Sequence, residues 1–454
     1  MKKRLFGTRG IRGPVHVKVS PELAFKLGLA LAELTGGGEV VVGRDTRVTG
    51  EMLFSAFSAG LMAGGSDVLD VGIVPSPCLA FATKKLGASA GTMITASHNP
   101  PTDNGLTFYT ENGSEFTGER EVELERLVLD VQPKMVEWMN VGSVYKIDIT
   151  EEYITDIEKK VKVDGGVKVV VDPANGAASG ITPVLLRRLG CEVVTINSHP
   201  DGHFPGRPAE PQPWNLGELM AVVKKVGADL GIAHDGDADR LAVIDENGDF
   251  IKHDTLIAFF AQKIVRERGG GIVITSVNTS KSIEEVVQRM GGKVIRVPLG
   301  AFTEGLIEHQ ACFAGEPGKL VFLEHGMWAD GIFSAAKVVE LISKERKPIS
   351  RIFKESVPDY PMYHEDFHCR DEMKPYFMEH MKRHVLKEIG DVEKIIDIDG
   401  VRIERKNGSW VLVRVSGTEP KARVVIEGRS LEELEDLKNK IVEEARRFLD
   451  ARMR

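Results

Sequence analysis

A serine in a rigid turn is the first group of the sequence that could act as a nucleophile. Ser97 lies in the segment Thr-Ala-Ser-His-Asn-Pro at residues 95–100, directly after the apolar run 91–94. Pro100 and Pro101 prevent the continuation of a helix, so the pattern predicts a strand that ends in a fixed loop with the serine hydroxyl exposed. An ordinary Ser/Asn turn has a similar composition, and only more distant segments distinguish the two interpretations.

Three aspartates at alternate positions indicate a site for a hard cation. Asp235, Asp237 and Asp239 are separated by single small residues, which allow the backbone to coil until the three carboxylates converge. A set of carboxylate oxygens favours Mg²⁺ or Ca²⁺ over zinc. Arg240 follows the third aspartate, and we expect it to offset part of the negative charge and to reach an anionic ligand.

Two alternatives for this acidic segment are a calcium loop and a solvated acidic loop. Together with Glu246, the three aspartates match positions 1, 3, 5 and 12 of an EF-hand loop. Position six is Arg240, where the sharp turn requires glycine, and the flanking runs 230–233 and 241–244 are typical of strands. The EF-hand is therefore disfavoured. A solvated loop would leave three carboxylates to repel one another without a cation.

A turn near the carboxyl end has the composition of a phosphate-binding nest. The strand-like run 410–415 leads into three residues with small or hydroxyl side chains: Ser416, Gly417 and Thr418. The backbone N–H groups and hydroxyls of such a turn can surround a phosphate. Arg414 and Arg423 add planar guanidinium donors that suit phosphate. A polar hairpin turn is the alternative.

The amino-terminal segment 6–13 also suits an anion. It holds three glycines and two arginines, Arg9 and Arg12, which permit a close approach of the backbone to a negatively charged ligand. Its spacing matches neither a Walker loop nor a dinucleotide fingerprint. By itself this segment identifies no ligand.

Together, the four segments resemble those of the α-D-phosphohexomutase superfamily, which includes phosphoglucomutase, phosphomannomutase and phosphoglucosamine mutase. The motifs TASHNP, DGDADR and RVSGTEP occur in the order of the superfamily, and the resemblance spans essentially the whole chain. It implies that Ser97 is a phosphoserine and that Mg²⁺ is held by the three aspartates and a phosphoserine oxygen. It also implies that Arg12 and the segment 44–47 support the phosphoserine.

The implied reaction is the interconversion of a sugar 1-phosphate and a sugar 6-phosphate. The enzyme would donate its own phosphoryl group, form a bisphosphate and take back the other phosphoryl group. Phosphoserine carries about −1.5 to −2 charges, so Mg²⁺ and Arg240 must neutralise it before a hydroxyl can attack. The turn between Arg414 and Arg423 would hold the nonreacting phosphate in either orientation. The expected ligands are therefore a phosphosugar and a sugar bisphosphate activator.

Three departures from the superfamily pattern lie on the sugar side of the predicted site. Thr107 stands where the superfamily commonly has a lysine that acts as general acid or base. The segment 315–320 keeps only Gly315 and Glu316 of the superfamily's sugar-binding loop. The segment 297–300 differs from the stretch that the superfamily pattern has at the corresponding place. We therefore predict a retained reaction with an altered substrate or proton carrier, and we expect Glu316 to bind sugar hydroxyls.

Lys319 is our candidate for the altered proton carrier. It follows the retained Glu316 by three residues, so its ammonium group could enter the site from the sugar side. The alternative is a solvated loop lysine. His98, which adjoins the predicted nucleophile, is the next candidate.

The composition predicts a cytoplasmic enzyme without nucleic acid as its main partner. The chain has 454 residues and a net charge of −8, so it presents no global basic field. Its four cysteines are widely spaced, which favours reduced thiols over disulfides. No run approaches the roughly 18 apolar residues of a membrane-spanning helix.

The order of apolar runs predicts an α/β protein of four domains. Three successive α/β units with mostly parallel mixed sheets are expected, followed by a smaller α+β C-terminal domain. The predicted domains carry, in order, the phosphoserine loop, the metal loop, the sugar-binding loop and the phosphate-binding turn: 1–148, 149–250, 251–357 and 358–454. The resemblance implies that they surround a central cleft.

Four residues of the last domain, His364, Asp366, His368 and Cys369, could form a transition-metal site. Their alternation with other residues over 363–369 is also typical of a half-exposed strand, which we favour.

The predicted function remains open in its substrate. Mannose and glucose phosphates, as for phosphomannomutase and phosphoglucomutase, are the first choice. Phosphoglucosamine mutase is an alternative of nearly equal weight, and phosphopentomutase is a further alternative because the sugar loop is altered. A protein that binds sugar phosphates without turnover is the alternative of another class, but a pure binder gains nothing from a nucleophile beside a cation site.

Overall fold

The computed structural model describes residues 5–7, 9–131, 133–417 and 419–453. The chain forms two compact units: unit 1 contains residues 1–253 and 318–355, and unit 2 contains residues 254–317 and 356–454. Among the described residues, no helix combines the length and the apolar character that crossing a membrane requires. All four cysteines are buried and unpaired, as the sequence predicts.

Unit 1 contains two sheets, and the first is a six-stranded mixed sheet. Its strands are β1 (Ile11–Pro14), β2 (Val40–Arg44), β3 (Val68–Ile73), β4 (Ala90–Ile94), β5 (Asp103–Thr110) and β6 (Val144–Lys146). They lie in the order β1-β5-β4-β2-β3-β6, and β2 is parallel to both β3 and β4. The accompanying helices are α1 (Pro21–Leu34), α2 (Gly50–Ala63), α3 (Ser76–Leu86) and α4 (Gly118–Arg126).

The central strands of this sheet are buried on both faces, because helices cover them and their side chains are apolar. Strands β2 and β4 are buried along almost their whole length, as is typical of parallel strands between helical layers. Since the two strands are parallel, their carboxyl ends meet at one edge of the sheet. The loops that follow Arg44 and Ile94 therefore start side by side.

The second sheet of unit 1 is a five-stranded mixed sheet. Its strands are β7 (Lys168–Asp172), β8 (Glu192–Thr195), β9 (Leu230–Ala233), β10 (Ala242–Asp245) and β11 (Phe250–Ile251), in the order β11-β10-β9-β7-β8. Its helices are α5 (Thr150–Lys160), α6 (Thr182–Arg188) and α7 (Gly217–Val226). The connection from β9 to the antiparallel β10 carries the three predicted metal ligands.

Unit 2 begins with a parallel sheet. The elements are α8 (His253–Arg268), β12 (Gly271–Ser276), α9 (Ser282–Arg289), β13 (Gly292–Val297), α10 (Phe302–Glu308) and β14 (Phe313–Glu316). Strand β12 lies between β13 and β14 and is parallel to both. The next elements of the chain, β15 (Lys319–Phe322) and α11 (Gly331–Glu345), belong to unit 1, and α12 (Ile349–Ser356) follows.

The C-terminal part of unit 2 is an antiparallel sheet with two helices. It contains β16 (Met362–His368), α13 (Lys374–Ile389), β17 (Val392–Ile396), β18 (Val401–Arg405), β19 (Trp410–Val415), β20 (Lys421–Glu427) and α14 (Leu431–Met453). The strand order is β16-β20-β19-β18-β17, and every pair is antiparallel. The predicted fold class, three α/β units and an α+β C-terminal domain, is confirmed.

The segment with alternating histidines is a strand. His364, Asp366 and His368 lie on β16, so the strand interpretation is confirmed. Among the described residues, these side chains form no cluster that could share a metal ion; the group found is the aspartate triad.

Candidate active site

Arg47 holds the loop that carries Ser97. Its guanidinium is buried and donates hydrogen bonds of 2.6–2.9 Å to four carbonyl oxygens of that loop and its exit: those of Ser97, Asn99, Pro100 and Asp103. Four carbonyls bound by one planar cation fix the course of the backbone, because a guanidinium presents its donors in a rigid fork. The serine loop is therefore preorganised.

Asp45 orients this arginine. Its carboxylate accepts a hydrogen bond from Arg47 Nε at 3.0 Å and one from the Thr95 hydroxyl at 2.6 Å. Burial raises the pKa of Asp45, and the charge of Arg47 and the bond from Thr95 offset part of that shift. Asp45 follows β2 and Thr95 follows β4, so the parallel strands bring the two loops together.

The Ser97 hydroxyl lies against the acidic loop. Its Oγ donates to Asp235 Oδ2 at 2.7 Å and lies 3.2 Å from His98 Nδ1. The backbone of Ser97 is left-handed, with φ of 52°, a conformation that costs a non-glycine residue on the order of 1–3 kcal/mol and is concentrated at functional sites.

The prediction that this hydroxyl is exposed is wrong. Ser97 has no exposed surface, because the acidic loop packs directly on it. A Cβ at Gly236 would lie only 2.7 Å from the Ser97 carbonyl oxygen. The contact thus depends on glycine at this position.

The three aspartates converge as the sequence predicts. Carboxylate oxygens of Asp235, Asp237 and Asp239 lie within 4.8 Å of one another. All three side chains are buried, so the alternative of a solvated acidic loop is wrong. Burial, reinforced by the charges of Asp239 and Asp235, raises the pKa of Asp237 to about 7; burial and Asp239 also raise the pKa of Asp235.

The carboxylate oxygens fit a hard divalent cation. Asp237 Oδ1 and Asp239 Oδ1 are buried and have no hydrogen-bond partner among the described residues. Unsatisfied buried carboxylate oxygens are costly, and a cation with oxygen ligands would satisfy both of them. This observation is independent of the motif itself.

Two groups that the sequence analysis missed shape the metal loop. Ser76, the first residue of α3, donates from Oγ to Asp237 Oδ2 at 2.6 Å and from its backbone N–H to the Asp237 carbonyl at 2.9 Å. The Gly331 N–H donates to the carbonyl of Ala238 at 3.2 Å, whose φ is 58°. Neither residue stands in a motif, and no local signal distinguishes Ser76 from an ordinary helix start.

Lys319 lies inside the site. It is 2% exposed, and its ammonium forms an ion pair with Asp239 Oδ2. The alternative of a solvated loop lysine is therefore wrong. Burial alone would raise the pKa of Asp239, but the charges of Lys319 and Arg240 outweigh it, and the pKa is lowered.

Arg240 balances charge on the other side of the loop. Its Nε lies 3.8 Å from Asp235 Oδ2, and its Nη1 donates to Glu210 Oε1 at 3.0 Å. The predicted offset of negative charge by Arg240 is thus present in the structure.

His98 is surrounded by cations. Burial and the charges of Arg240, Arg12, Lys319 and Arg47 hold the pKa of His98 well below its usual range. Burial and these cations therefore favour the neutral imidazole over the imidazolium.

Arg12 lies on β1, where it engages Thr107. Its Nη2 donates to Thr107 Oγ1 at 3.2 Å, and Thr107 is 2% exposed on β5. The hydroxyl thus serves as a partner for the arginine.

The predicted sugar contact, Glu316, lies in unit 2. It is 8% exposed on β14, and its Oε2 accepts a hydrogen bond from the Gly300 N–H at 3.0 Å. Two of the three departing segments, 297–300 and 315–320, are therefore in contact through this carboxylate.

The predicted phosphate clamp also lies in unit 2. Arg414 and Arg423 are directly opposite each other on β19 and β20. Arg414 Nε donates to Asp399 Oδ2 at 2.8 Å, and Arg423 Nε donates to Asp366 Oδ1 at 2.9 Å. Burial raises the pKa of Asp366, but hydrogen bonding to His364 and the charge of Arg423 lower it to about 2.

The turn between these arginines differs from the prediction in one respect. The Ser416 N–H donates to the Lys421 carbonyl at 2.8 Å, and the Ser416 hydroxyl accepts from the Glu419 N–H at 3.1 Å. The backbone N–H of Ser416 therefore closes the hairpin. A Cβ at Gly417 would meet nothing within 4 Å, so this side of the turn is open, and Thr418 lies outside the described residues.

Comparison with known proteins identifies the family of the chain. Profiles of the four domains of phosphoglucomutase/phosphomannomutase match the chain in order: α/β/α domain I at residues 3–134, domain II at 151–248, domain III at 252–360 and the C-terminal domain at 370–444. The boundaries that we place between the domains stay a prediction.

Curated relatives match along nearly the whole chain. A phosphopentomutase of Thermococcus kodakarensis is 43% identical over 93% of this chain and 94% of its own length. A protein of Methanopyrus kandleri named "probable phosphoglucosamine mutase" is 43% identical over 98% of this chain and 99% of its own.

Solved structures show the same fold. A phosphoglucomutase/phosphomannomutase family protein of Burkholderia thailandensis has a TM-score of 0.87 at 27% identity, covering 97% of this chain and 96% of that one. The phosphoglucomutase pp63/parafusin of Paramecium has a TM-score of 0.79 at 18% identity, with 98% and 94% covered. The chain thus belongs to the phosphoglucomutase/phosphomannomutase family of the α-D-phosphohexomutase superfamily and is an isomerase.

Proposed function

We propose that the protein moves a phosphoryl group between the anomeric and the terminal hydroxyl of a sugar, with phosphorylated Ser97 as the donor and a sugar bisphosphate as the intermediate. The observation that carries this proposal is the 2.7 Å hydrogen bond from Ser97 Oγ to Asp235 Oδ2. It joins a strained, preorganised nucleophile to a buried set of carboxylates with unsatisfied oxygens.

Asp235, Asp237, Asp239 and an oxygen of phosphorylated Ser97 would hold Mg²⁺. When bound, the ion supplies positive charge that neutralises the phosphoryl oxygens and favours attack by a hydroxyl. Arg240 and Arg12 add fixed positive charge that acts on Asp235 and Asp237, respectively. The serine loop needs little reorganisation for the reaction, because Arg47 and Asp45 already fix its backbone.

In the first half-reaction, a sugar hydroxyl attacks the phosphorus of phosphorylated Ser97 and the bond to Ser97 Oγ breaks. The hydroxyl loses its proton and the serine oxygen gains one. We assign the carrier role to His98, because its Nδ1 lies 3.2 Å from Ser97 Oγ. In the second half-reaction Ser97 attacks the other phosphate of the bisphosphate, and the proton travels in reverse.

Lys319 supplies charge in this scheme. Its ammonium is already paired with Asp239, and an ammonium has no lone pair with which to accept a proton. We therefore assign it to neutralising the negative charge that develops during transfer, and we move the general acid/base role to His98.

The residues of unit 2 bind the substrate in this proposal. Glu316 contacts sugar hydroxyls, and the guanidinium groups of Arg414 and Arg423, with the turn of Ser416, Gly417 and Thr418, bind the nonreacting phosphate. Each arginine is paired with a single aspartate, which holds its guanidinium in a defined orientation. A dianionic phosphate would compete with that aspartate for the guanidinium donors.

Glucosamine phosphate and pentose phosphate are the substrates that we propose first. Relatives of more than 40% identity carry both names, and the segments 297–300 and 315–320 depart from the hexose-binding pattern. Mannose and glucose phosphates remain the alternatives within the same reaction.

The test is to assay the purified protein with the 1-phosphates of glucosamine, a pentose, mannose and glucose. Each assay contains Mg²⁺ and a catalytic amount of the matching bisphosphate. We expect one substrate to be preferred, and mass spectrometry to locate a phosphate on the peptide that contains Ser97. The variant Ser97→Ala should remain folded and lose turnover. Wild-type-like turnover in Ser97→Ala would contradict the proposed mechanism.

A further inference from the structure

One oxygen of Asp399 joins the predicted phosphate clamp to a segment of the sugar side. Asp399 lies in the turn between β17 and β18, and its Oδ2 accepts hydrogen bonds from Arg414 Nε at 2.8 Å and from the Leu299 N–H at 3.1 Å. Leu299 belongs to the segment 297–300, which departs from the superfamily pattern. A single carboxylate oxygen of unit 2 thus binds an arginine of the clamp and the backbone of the sugar side at once.

The next N–H of the same segment binds the predicted sugar contact. The Gly300 N–H donates to Glu316 Oε2 at 3.0 Å, directly after the Leu299 N–H that binds Asp399. Gly300 has a left-handed backbone, with φ of 82°, and successive N–H groups in such turns can form concave anion-binding sites. Two adjacent amides therefore separate the carboxylate that holds Arg414 from the carboxylate that we assign to the sugar.

Packing fixes both ends of this connection on strand β19, which carries Arg414. The Leu299 side chain packs against an apolar cluster that includes Trp410 of that strand. In the turn between β17 and β18, a Cβ at Gly400 would lie only 2.4 Å from the Val413 carbonyl oxygen. Close-packed interiors resist displacement of their parts, so the segment and the turn keep defined positions relative to the clamp.

The shared oxygen gives phosphate binding a route to the sugar side. Arg414 and the Leu299 N–H donate to the same atom, so they compete for its negative charge. When a phosphate draws the guanidinium donors of Arg414, the charge of Asp399 is left to the Leu299 N–H, and hydrogen bonds to ionised acceptors are the stronger ones. The segment 297–300 is then held more firmly, and with it the Gly300 N–H that binds the sugar carboxylate.

We propose that Asp399 is a positioning residue for substrate specificity, which couples phosphate binding at Arg414 to the placement of Glu316 through the N–H groups of Leu299 and Gly300. The proposal rests on the proposed function in one respect, the assignment of Arg414 to phosphate and of Glu316 to sugar hydroxyls. It predicts that a residue assigned to neither ligand affects which sugar is preferred.

The other arginine of the clamp provides a matched control. Asp366 accepts from Arg423 Nε at 2.9 Å, and it also contacts His364 on the same strand. Neither contact involves the segment 297–300, so the loss of Asp366 alters the clamp alone. If the two aspartates only orient arginines, Asp399→Ala and Asp366→Ala will have equivalent effects.

Calorimetry on Ser97→Ala, which we expect to bind without turnover, measures the coupling. The ligands are the 6-phosphates of glucosamine, mannose and glucose, and ribose 5-phosphate. We expect the ratio of the weakest to the tightest dissociation constant to fall about fivefold or more when Asp399→Ala is added, the scale of one lost hydrogen bond. Adding Asp366→Ala should change all four dissociation constants by a similar factor and leave the ratio as it was.

A conservative variant separates the hydrogen bond from the charge. Asp399→Asn keeps an oxygen that can accept from the Leu299 N–H, so its ratio should lie between those of the aspartate and the alanine proteins. A ratio in Asp399→Asn as low as that in Asp399→Ala would contradict the bridge.

Turnover enters none of these measurements, so a wild type that binds the ligands without turnover would contradict the proposed function alone. Three other results would overturn the coupling: a ratio that Asp399→Ala leaves unchanged, an equal fall of the ratio in Asp366→Ala, or a Ser97→Ala protein that binds the four ligands equally or not at all.

Discussion

Two clusters of buried charge in this chain are built in opposite ways. In unit 1, the buried carboxylates of Asp235, Asp237 and Asp239 converge, with Lys319 paired to Asp239 and Arg240 3.8 Å from Asp235. Two carboxylate oxygens have no partner among the described residues, and burial and repulsion raise the pKa of Asp237 to about 7. The cluster therefore keeps carboxylate oxygens available for a cation, and we call it the unbalanced cluster.

In the balanced cluster in unit 2, the Glu404 carboxylate contacts two cations, while Arg402 Nη2 and Glu427 Oε2 have no hydrogen-bond partner among the described residues. Arg402 is fully buried and donates from Nε to Glu404 Oε1 at 2.8 Å, and Lys281 donates to Glu404 Oε2 at 2.5 Å. Burial raises the pKa of Glu404, but Arg402, Lys281 and Arg296 outweigh it and lower it to about 2.

Arg402 also joins two parts of unit 2. Its Nη1 donates to the carbonyls of Val277 and Thr279 at 2.8 and 2.7 Å, and its guanidinium lies 3.7 Å from the centre of the Trp410 ring. These contacts hold β18 and β19 against the loop after β12.

The difference predicts a structural role for the balanced cluster and a catalytic role for the unbalanced one. Buried charges that compensate each other define a conformation, and removing one partner leaves the other buried without compensation. Buried charges of one sign are unfavourable until a ligand arrives, and they concentrate at functional sites. The first cluster should therefore govern activity, and the second should govern stability.

The largest effect is expected in the balanced cluster. Arg402→Met leaves Glu404 buried without its main partner and should lower the free energy of unfolding by about 3–5 kcal/mol. Urea denaturation measures this loss. Arg383→Met is the control, because Arg383 is exposed and exposed pairs contribute about 0–1 kcal/mol. Equal losses in both variants would remove the distinction between the clusters.

The next effect concerns the unbalanced cluster. Asp237→Asn removes a ligand oxygen and should lower kcat by about 10²–10³-fold, while the unfolding free energy without Mg²⁺ stays equal or rises, because like-charge repulsion is removed. Mg²⁺ titration with thermal unfolding should show weaker stabilisation of the variant than of the wild type. The exposed Asp249 provides the control Asp249→Asn. A strongly destabilised Asp237→Asn protein would show that this cluster is structural.

The pH dependence of stability should report Glu404. Its folded pKa of about 2 lies below the usual value of 4.5, so its contribution is fully present above pH 4.5 and is lost as the pH falls towards 2. The whole shift corresponds to roughly 3 kcal/mol. Urea midpoints between pH 5.5 and 3 should therefore fall more steeply for the wild type than for Glu404→Gln. Parallel slopes would exclude this carboxylate as a source of acid sensitivity.

The smallest effect is expected for the lysine in the unbalanced cluster. Lys319→Met removes a charge-assisted contact of about 1.5–3 kcal/mol and should lower kcat by about 10–100-fold. Lys319→Arg keeps the charge and should restore most of the rate, with an unchanged pH profile. A variant Lys319→Arg as slow as Lys319→Met, with a shifted basic limb of the pH profile, would instead make Lys319 the proton carrier.

Much of the site could be predicted because its parts are local in the sequence. The nucleophile loop, the aspartate triad and the arginine turn each occupy a few consecutive residues, so their composition and spacing alone indicate their chemistry. The alternation of apolar runs and helical segments likewise predicts the α/β units, because side-chain burial imposes those periods on any such sheet.

The tertiary structure decided how these parts are held and charged. Ser97 and Asp235 are 138 residues apart, and Ser76 and Asp237 are 161 apart, so no local pattern could show that the hydroxyl is buried or which oxygens stay without a partner. The sequence by itself indicated which groups are candidates for the chemistry. Only the fold determined that Lys319 is an internal counter-ion and that Arg402 and Glu404 compensate each other, because burial and charge balance depend on the groups that distant segments bring within hydrogen-bond distance.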